Sequence, residues 1–279
     1  MKRTVSSFGS ILLAFLWPSV AGAQNEEPKK WEELFFPFPI VGAPPQLEQQ
    51  VQVFDSYFRG NAGSGDVPSA EIAYIASPHL GFVATVPFQV GFGGQTTGFE
   101  DAQLLVQWLA AGSLELDDMI SVGAMGTFPI GRGDLSSDDY YAGPFAYAAQ
   151  RFFHRLIFEG DVTTLLPIVH GASTRQILGT GLVSVLLTPE RFSFPVYVQG
   201  EVNSTTYLGG TAALPPGSTK SPAETVFVAP EVFLGPFASP ISDGTRVAAG
   251  VSFNVAGDAV HAQTYTITAA FDIPNKYGY

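Results

Sequence analysis

Cysteine is absent and charge is scarce. With 0 Cys in 279 residues there is no disulfide framework, no thiolate nucleophile and no cysteine-held metal. Charged residues make up 14% of the chain, against about a quarter in ordinary soluble domains. Cations are the scarcer kind: 13 Lys and Arg stand against 25 Asp and Glu, a net charge of −12. That balance disfavours nucleic acid and anionic membrane surfaces as partners. Beyond the N-terminus there is no run of about 18 apolar residues, so no helix spans a bilayer. Signatures of hydrolases are missing as well: there is no G-x-S-x-G and no H-E-x-x-H.

What remains is rich in apolar and aromatic residues, 46% and 13% of the chain, with 23 Phe, 10 Tyr, 30 Gly and 21 Pro. These suit strands, aromatic girdles and many tight turns. The N-terminus begins Met1-Lys2-Arg3, continues apolar from Phe8 to Val20, and reaches Ala21-Gly22-Ala23 before Gln24. That pattern predicts a secretory signal peptide over residues 1–23. Residues 24–46 hold Pro28, Pro37, Pro39, Pro44 and Pro45 among Trp31, Phe35, Phe36 and Phe38. So many prolines exclude a central strand, leaving a periplasmic arm or a plug in a barrel mouth.

The most telling stretch is the last. From Tyr265, every second residue is Ile267, Ala269, Phe271 and Ile273, then Asn275, Tyr277 and Tyr279; between them lie Thr264, Thr266, Thr268, Ala270 and Asp272. A period of two means a strand, and apolar-out, polar-in strands are what a membrane-spanning barrel requires. Phe271, Ile273, Tyr277 and Tyr279 look like the C-terminal signal by which such proteins are handed to the barrel assembly machinery. The same alternation runs through Leu80 to Phe92, Asp101 to Ala111, Ile120 to Ile130, Phe192 to Gln199 and Arg246 to Val255. Weaker segments lie at 47–58, 69–76, 140–150, 155–166, 176–187 and 224–234. The sum is about twelve strands, the even number that bacterial single-chain barrels prefer. The expected fold is all-β: an antiparallel transmembrane barrel over 47–279, in lipid of the outer membrane. Pro87, Pro195 and Pro230 conflict locally with a continuous ladder, and each requires a bulge or a broken pairing.

With the N-terminus periplasmic, outer loops fall near 59–67, 92–99, 130–139, 167–175, 208–222 and 256–259, and inner turns near 77–79, 112–118, 151–154, 188–191 and 235–244. The strand parity then aims Gln89, Asp101, Gln103, Gln107, Thr127, Glu159, Asp161, Thr163, Tyr197, Gln199, Glu201, Arg246, Asn254, Thr266 and Asp272 into the lumen. Of these, Asp101, Gln103, Gln107, Glu159, Asp161, Tyr197, Glu201, Arg246 and Asn254 are the candidate solute pathway. Mostly acidic lumen charge gives a cation preference. The alternative is that these groups pair with one another in a closed interior.

Several pieces resemble the outer-membrane "transporter" family linked to the meta-pathway of phenol degradation. They are Val86-Pro87-Phe88, Gly98-Phe99-Glu100-Asp101 (where that family has Gly-x-Gly-Asp), the strand to Trp108, and Phe128-Pro129-Ile130-Gly131. Glu201-Val202-Asn203 and Ala229-Pro230-Glu231 extend the likeness over residues 75–279. The resemblance implies a barrel that passes small, often aromatic, solutes, without catalytic residues.

A lipid-modifying barrel enzyme is the rival. The four histidines are His79, His154, His170 and His261. His170 stands near a serine, Ser173, in a predicted loop, and turn chemistry explains both. Asp117-Asp118 and Asp138-Asp139 read as turn acids rather than calcium ligands. Trp31, Trp108 and Tyr140-Tyr141 fit interface girdles as well as an aromatic solute. The expectation is a non-enzymatic channel or transporter with no cofactor and no metal.

Overall fold

The computed structural model describes residues 49–273 except for 61–62, 93–95, 114–117, 133–134, 137–138, 154, 169–174, 189–193, 209–222, 243 and 258–262. The expected signal peptide, the 24–46 arm, Tyr277 and Tyr279 lie outside the described residues.

The described chain is strand throughout: β1 Gln50–Gly60, β2 Gly63–Ser77, β3 Leu80–Phe92, a two-residue β4 Gly98–Phe99, β5 Ala102–Ser113, β6 Asp118–Phe128 and β7 Tyr141–Phe152. It continues with β8 Leu156–Pro167, β9 Arg175–Leu186, β10 Val196–Leu208, β11 Ala223–Phe237, β12 Thr245–Gly257 and β13 Gln263–Asp272. Each long strand pairs antiparallel with its sequence neighbours, β3 bonding to β5 across β4. The first and last strands pair as well, from Gln50↔Asp272 to Arg59↔Gln263. Twelve strands thus close into a barrel, with β4 an addition on the edge of β3. Closure removes the edges of β1 and β13, so their backbone groups find partners inside the tube. We call the end where β1 begins the turn end and the opposite end the loop end.

The alternation sorts side chains as the period of two requires. On β13, Tyr265 and Ile267 are exposed outward, Ile267 at 63%, whereas Thr266, Thr268 and Ala270 point inward at 2% or less. Val53, Ile72, Val86, Val122, Val183, Val198 and Val232 continue the outer apolar band around the barrel. Exposed aromatics border it at both ends. Tyr74, Trp108, Phe153 and Phe194 lie toward the turn end; Tyr57, Phe92, Phe99, Phe128, Tyr140 and Tyr265 lie toward the loop end. Tyr57 and Tyr265 sit 6.2 Å apart across the closing seam, and Phe128 meets Tyr140 edge to face at 6.3 Å. Two girdles flanking an apolar band mark membrane–water boundaries. Asp55 is exposed on the outer face next below Tyr57, and Arg59 above it.

Prolines lie where pairing stops. Pro68 has no partner in the β2–β3 ladder, which jumps from Asp66↔Val90 to Ser69↔Pro87. Pro144 sits in the gap between Ala142↔Leu166 and Phe145↔Thr163, and Pro230 in the gap between Val228↔Phe253 and Glu231↔Gly250. A residue without N–H cannot donate to one neighbour, and these ladders break on that side. Beside Pro144, a Cβ on Gly143 would run into the Thr164 carbonyl oxygen, so only glycine permits this approach of β7 to β8. Pro195 is not a strand residue: β10 begins at Val196, just after it. The predicted 59–67 loop is likewise shorter, because β1 and β2 run on as a hairpin to Gly60↔Gly63.

An arginine in place of Ile267, midway along β13, faces hydrocarbon and is expected to cost about 2–4 kcal/mol. The same change at Gln263, near the loop-end boundary, is expected to cost about 0–1 kcal/mol. Denaturant unfolding in lipid vesicles measures both, and equal costs would contradict a lipid-covered band.

Candidate functional site: a lumen cavity above a packed belt

The inner face is not uniformly polar. Toward the turn end it is filled. Ile75, Met119, Phe145, Tyr147, Ile157, Leu182, Tyr197 and Phe233 all point inward and are buried. Tyr197 and Phe233 meet edge to face with centroids 6.1 Å apart. Polar groups complete this belt: the Tyr147 hydroxyl donates to Glu159 Oε2 at 2.9 Å, and Gln199 Nε2 donates to Ser184 Oγ at 3.1 Å. Its two arginines are engaged. Arg246 pairs with Asp272, and the Arg151 charge acts on the Tyr197 hydroxyl. Buried polar groups so satisfied rigidify a core.

The strand that departs most from the expected polarity is β7. Its inner face carries Tyr141, Phe145, Tyr147 and Ala149, and its outer face Ala142, Ala146 and Ala148. Bulk therefore points into the lumen, opposite to β13. Tyr140 and Tyr141, adjacent in sequence, face apart: Tyr140 is 48% exposed in the girdle and Tyr141 is 3% exposed in the lumen.

Toward the loop end the lumen opens into a cavity of about 570 Å³. Its walls combine apolar Val83, Leu105, Met125, Leu165 and Leu178 with aromatic Phe54, Tyr141 and Phe227. Four carboxylates line it, Glu71, Glu100, Asp101 and Asp161, and among the described residues no lysine or arginine does. Thr85 Oγ1 donates to Glu71 Oε2 at 2.9 Å across the β2–β3 pair. A polar path links cavity and belt: Thr180 Oγ1 donates to Asn203 Oδ1 at 2.9 Å, and Asn203 Nδ2 donates to Glu201 Oε1 at 2.7 Å.

Local sequence explains the carboxylates at the mouth. Pro87 has no N–H to offer, and pairing of β3 with β5 reaches only Thr85↔Gln103. Beyond it, β4 takes over at Phe88↔Phe99, and the Glu100 N–H donates to the Pro87 carbonyl at 3.1 Å. Glu100 and Asp101 fall in this change of partner, between strands, and line the cavity. Burial, and then the neighbouring Asp101 charge, push the Glu100 carboxyl above the usual carboxylate range.

Of the candidate pathway residues, Asp101, Gln103 and Asp161 line the cavity. Gln107, Glu159, Tyr197, Glu201 and Arg246 are buried in the packed turn-end half instead. Asn254 stands on the inner face opposite Phe227. Gln52, Phe54, Glu71, Glu100, Tyr141 and Phe227 also line the cavity and were not among the candidates. Glu71 had a signal, since it alternates with outward Ile72 and Tyr74, but the inner face it shares with Ala73 and Ile75 is itself apolar. Of the C-terminal residues, Phe271 lies on the outer face of β13, and the Ile273 N–H donates to the Gln49 carbonyl at 2.8 Å. His79 is in an exposed turn beside Trp108, with ring centroids 5.8 Å apart; His154, His170, His261 and Ser173 lie outside the described residues. Among the described residues no three His, Asp or Glu side chains converge on a metal position.

No protein-family model matches the chain, and no curated protein matches it. Among solved structures, the chain is similar to an outer membrane channel from Pseudomonas putida F1, with a TM-score of 0.58 over 86% of this chain and 100% of that one. The chain has the fold of an outer-membrane channel. At 11% identity the likeness is one of architecture, carried by closure and alternation rather than by shared side chains.

Because ionised Glu100 is disfavoured by its surroundings, it takes up a proton as pH falls before an ordinary glutamate does. Carboxyl NMR titration is expected to place its midpoint above that of a solvent-exposed glutamate, and Asp101→Asn to lower it. A midpoint unmoved by Asp101→Asn would remove that charge as a cause.

Proposed function

We propose that this chain is an outer-membrane channel or transporter that admits small solutes to the loop-end cavity and passes them through the turn-end belt without chemical turnover. The cavity carries this reading. About 570 Å³ with mixed apolar and polar walls falls within the range of small-molecule sites. The channel named among similar structures supports it. The signal-like N-terminus and the two girdles support export to a Gram-negative outer membrane, with the turn end periplasmic. The likeness to the phenol-pathway family favours solutes with an aromatic or hydrophobic body, and Phe54, Tyr141, Phe227, Leu165 and Leu178 offer such a body contact.

The packed belt favours one further reading, a closed barrel with a structural role. The two differ in what the belt does. As a gate it holds back flow through side chains that move; as a permanent core it carries no traffic.

Phe233→Ala combined with Tyr147→Ala removes two rings from the belt. In planar bilayers the channel reading expects measurable conductance from the native protein and a severalfold rise in the double variant. Liposome swelling with small neutral solutes is expected to rise in parallel. Heat-modifiable migration on gels checks that the variant is folded. No conductance from either folded protein would instead support the closed barrel.

A further inference from the structure

We propose that the cavity has a second opening, sideways through the wall between β3 and the β4–β5 junction, by which uncharged apolar solutes pass between the lumen and the hydrocarbon of the loop-end leaflet. This rests on the cavity being a solute site, as above, but not on passage through the belt.

The first observation is the seam itself. β3 and β5 share six residue pairs, from Leu80↔Trp108 to Thr85↔Gln103. Every other seam between neighbours among the twelve long strands holds nine or more among the described residues. Above Thr85 the tie passes to β4, with two pairs and the bond from the Glu100 N–H to the Pro87 carbonyl. β4 is also seated elsewhere: a Cβ on Gly131 would strike the Phe99 carbonyl oxygen, so the Gly131 backbone packs closely on it.

The second lies on the opposite edge of the same stretch. The β2–β3 ladder holds no pair between Asp66↔Val90 and Ser69↔Pro87, so Phe88 and Gln89 are unpaired toward β2. Parting strands in hydrocarbon strands N–H and C=O groups at a steep cost. Here Pro68 and Pro87 have no N–H to leave without a partner, and Phe88 has a ladder partner on one side only. The wall opens at this point for the least loss of backbone pairing.

The third is what stands on the two sides. Inside, Val67, Thr85, Pro87, Glu100, Asp101 and Gln103 line the cavity. Outside, Val86 and Phe99 are exposed on the lipid face, and Phe88 meets Phe99 edge to face at 5.0 Å. That ring pair spans the seam, so parting it joins the cavity to lipid. An apolar body gains by leaving water for the rings and the hydrocarbon beyond, whereas an ion would lose its hydration there.

The test locks the seam. Phe88 and Phe99 face each other in a non-hydrogen-bonded pair, the closer kind, which suits a disulfide. Phe88→Cys with Phe99→Cys is made in a chain that has 0 Cys of its own. The probe is N-phenyl-1-naphthylamine, which fluoresces on entering hydrocarbon and is held back by a lipopolysaccharide leaflet. Cells carrying the native protein in the outer membrane are expected to take it up severalfold faster than cells without it. Oxidising the double variant is expected to remove that gain, and a reductant to restore it, while liposome swelling with a small polar solute by the purified protein stays unchanged. A control disulfide from Val122→Cys with Ala146→Cys, an outer pair of β6 and β7, is expected to change neither. Probe entry that ignores the lock in folded protein overturns the proposal, and so does a lock that lowers entry and swelling alike. Lock-dependent entry with no swelling from the native protein upholds this inference and counts against passage through the belt. If the double variant fails to fold, hydrogen exchange of the native protein decides. The Glu100 amide, whose bond crosses the seam, is expected to exchange on the order of tenfold faster than the amides from Leu104 to Trp108 in β5. Equal protection overturns the proposal.

Discussion

Ten residue pairs between β1 and β13, from Gln50↔Asp272 to Arg59↔Gln263, turn a sheet into a tube, and the rest of the molecule depends on them. In hydrocarbon an unpaired N–H or C=O has no water to turn to, and each such group costs several kcal/mol. An open sheet of these strands would present two such edges. Closed, the chain can leave Ile72, Val122, Val232 and Ile267 exposed on its outside, because lipid rather than a partner sheet covers them. The same closure encloses an interior, and what fills that interior decides what the protein can do.

The interior is divided along its axis. Large side chains from several strands, among them Phe145, Tyr197 and Phe233, pack into one cluster toward the turn end. Toward the loop end the inward positions turn smaller or polar, such as Thr163, Thr180, Asn203 and Thr205, and a cavity remains. A proline helps shape its mouth: Pro87 ends the β3–β5 ladder and hands β3 to a two-residue strand, leaving Glu100 and Asp101 at the lumen rather than in a ladder. The resulting asymmetry, a packed belt below and an acidic cavity above, distinguishes this barrel from a uniformly lined pore.

Much of this was legible in the residues. The alternation from Tyr265 to Ile273 and from Leu80 to Phe92 assigned inner and outer faces correctly, because burial on a barrel has only two alternatives per residue. An even count of twelve followed from the turn signals. The lumen's division was not legible. Reading polar as inward misses β7, whose rings point in while alanines point out. The period is the same for either polarity, and only the neighbouring walls decide which face receives bulk. Depth was hidden for the same reason. Asp101 and Glu201 share the inner face, yet the first borders a cavity and the second is 1% exposed beneath it. Strand tilt and stagger set that difference, and neither is written in a local pattern. Pro195 misled because a proline just before a strand has the same alternating neighbours as one inside it.

The pairing of β1 with β13 can be tested by chemistry, since a chain with 0 Cys offers a clean background. Ser56 Oγ and Thr266 Oγ1 lie 2.9 Å apart across the seam, 210 residues apart in sequence. In the double substitution Ser56→Cys and Thr266→Cys, reconstituted in lipid vesicles, mild oxidation is expected to form an intramolecular disulfide. Its formation would be read as a reduction-sensitive change in gel mobility. If the two thiols stay free in folded, membrane-inserted protein while a pair introduced at Gln199 and Ser184 joins, the barrel is open at that seam and closure of the tube is refuted.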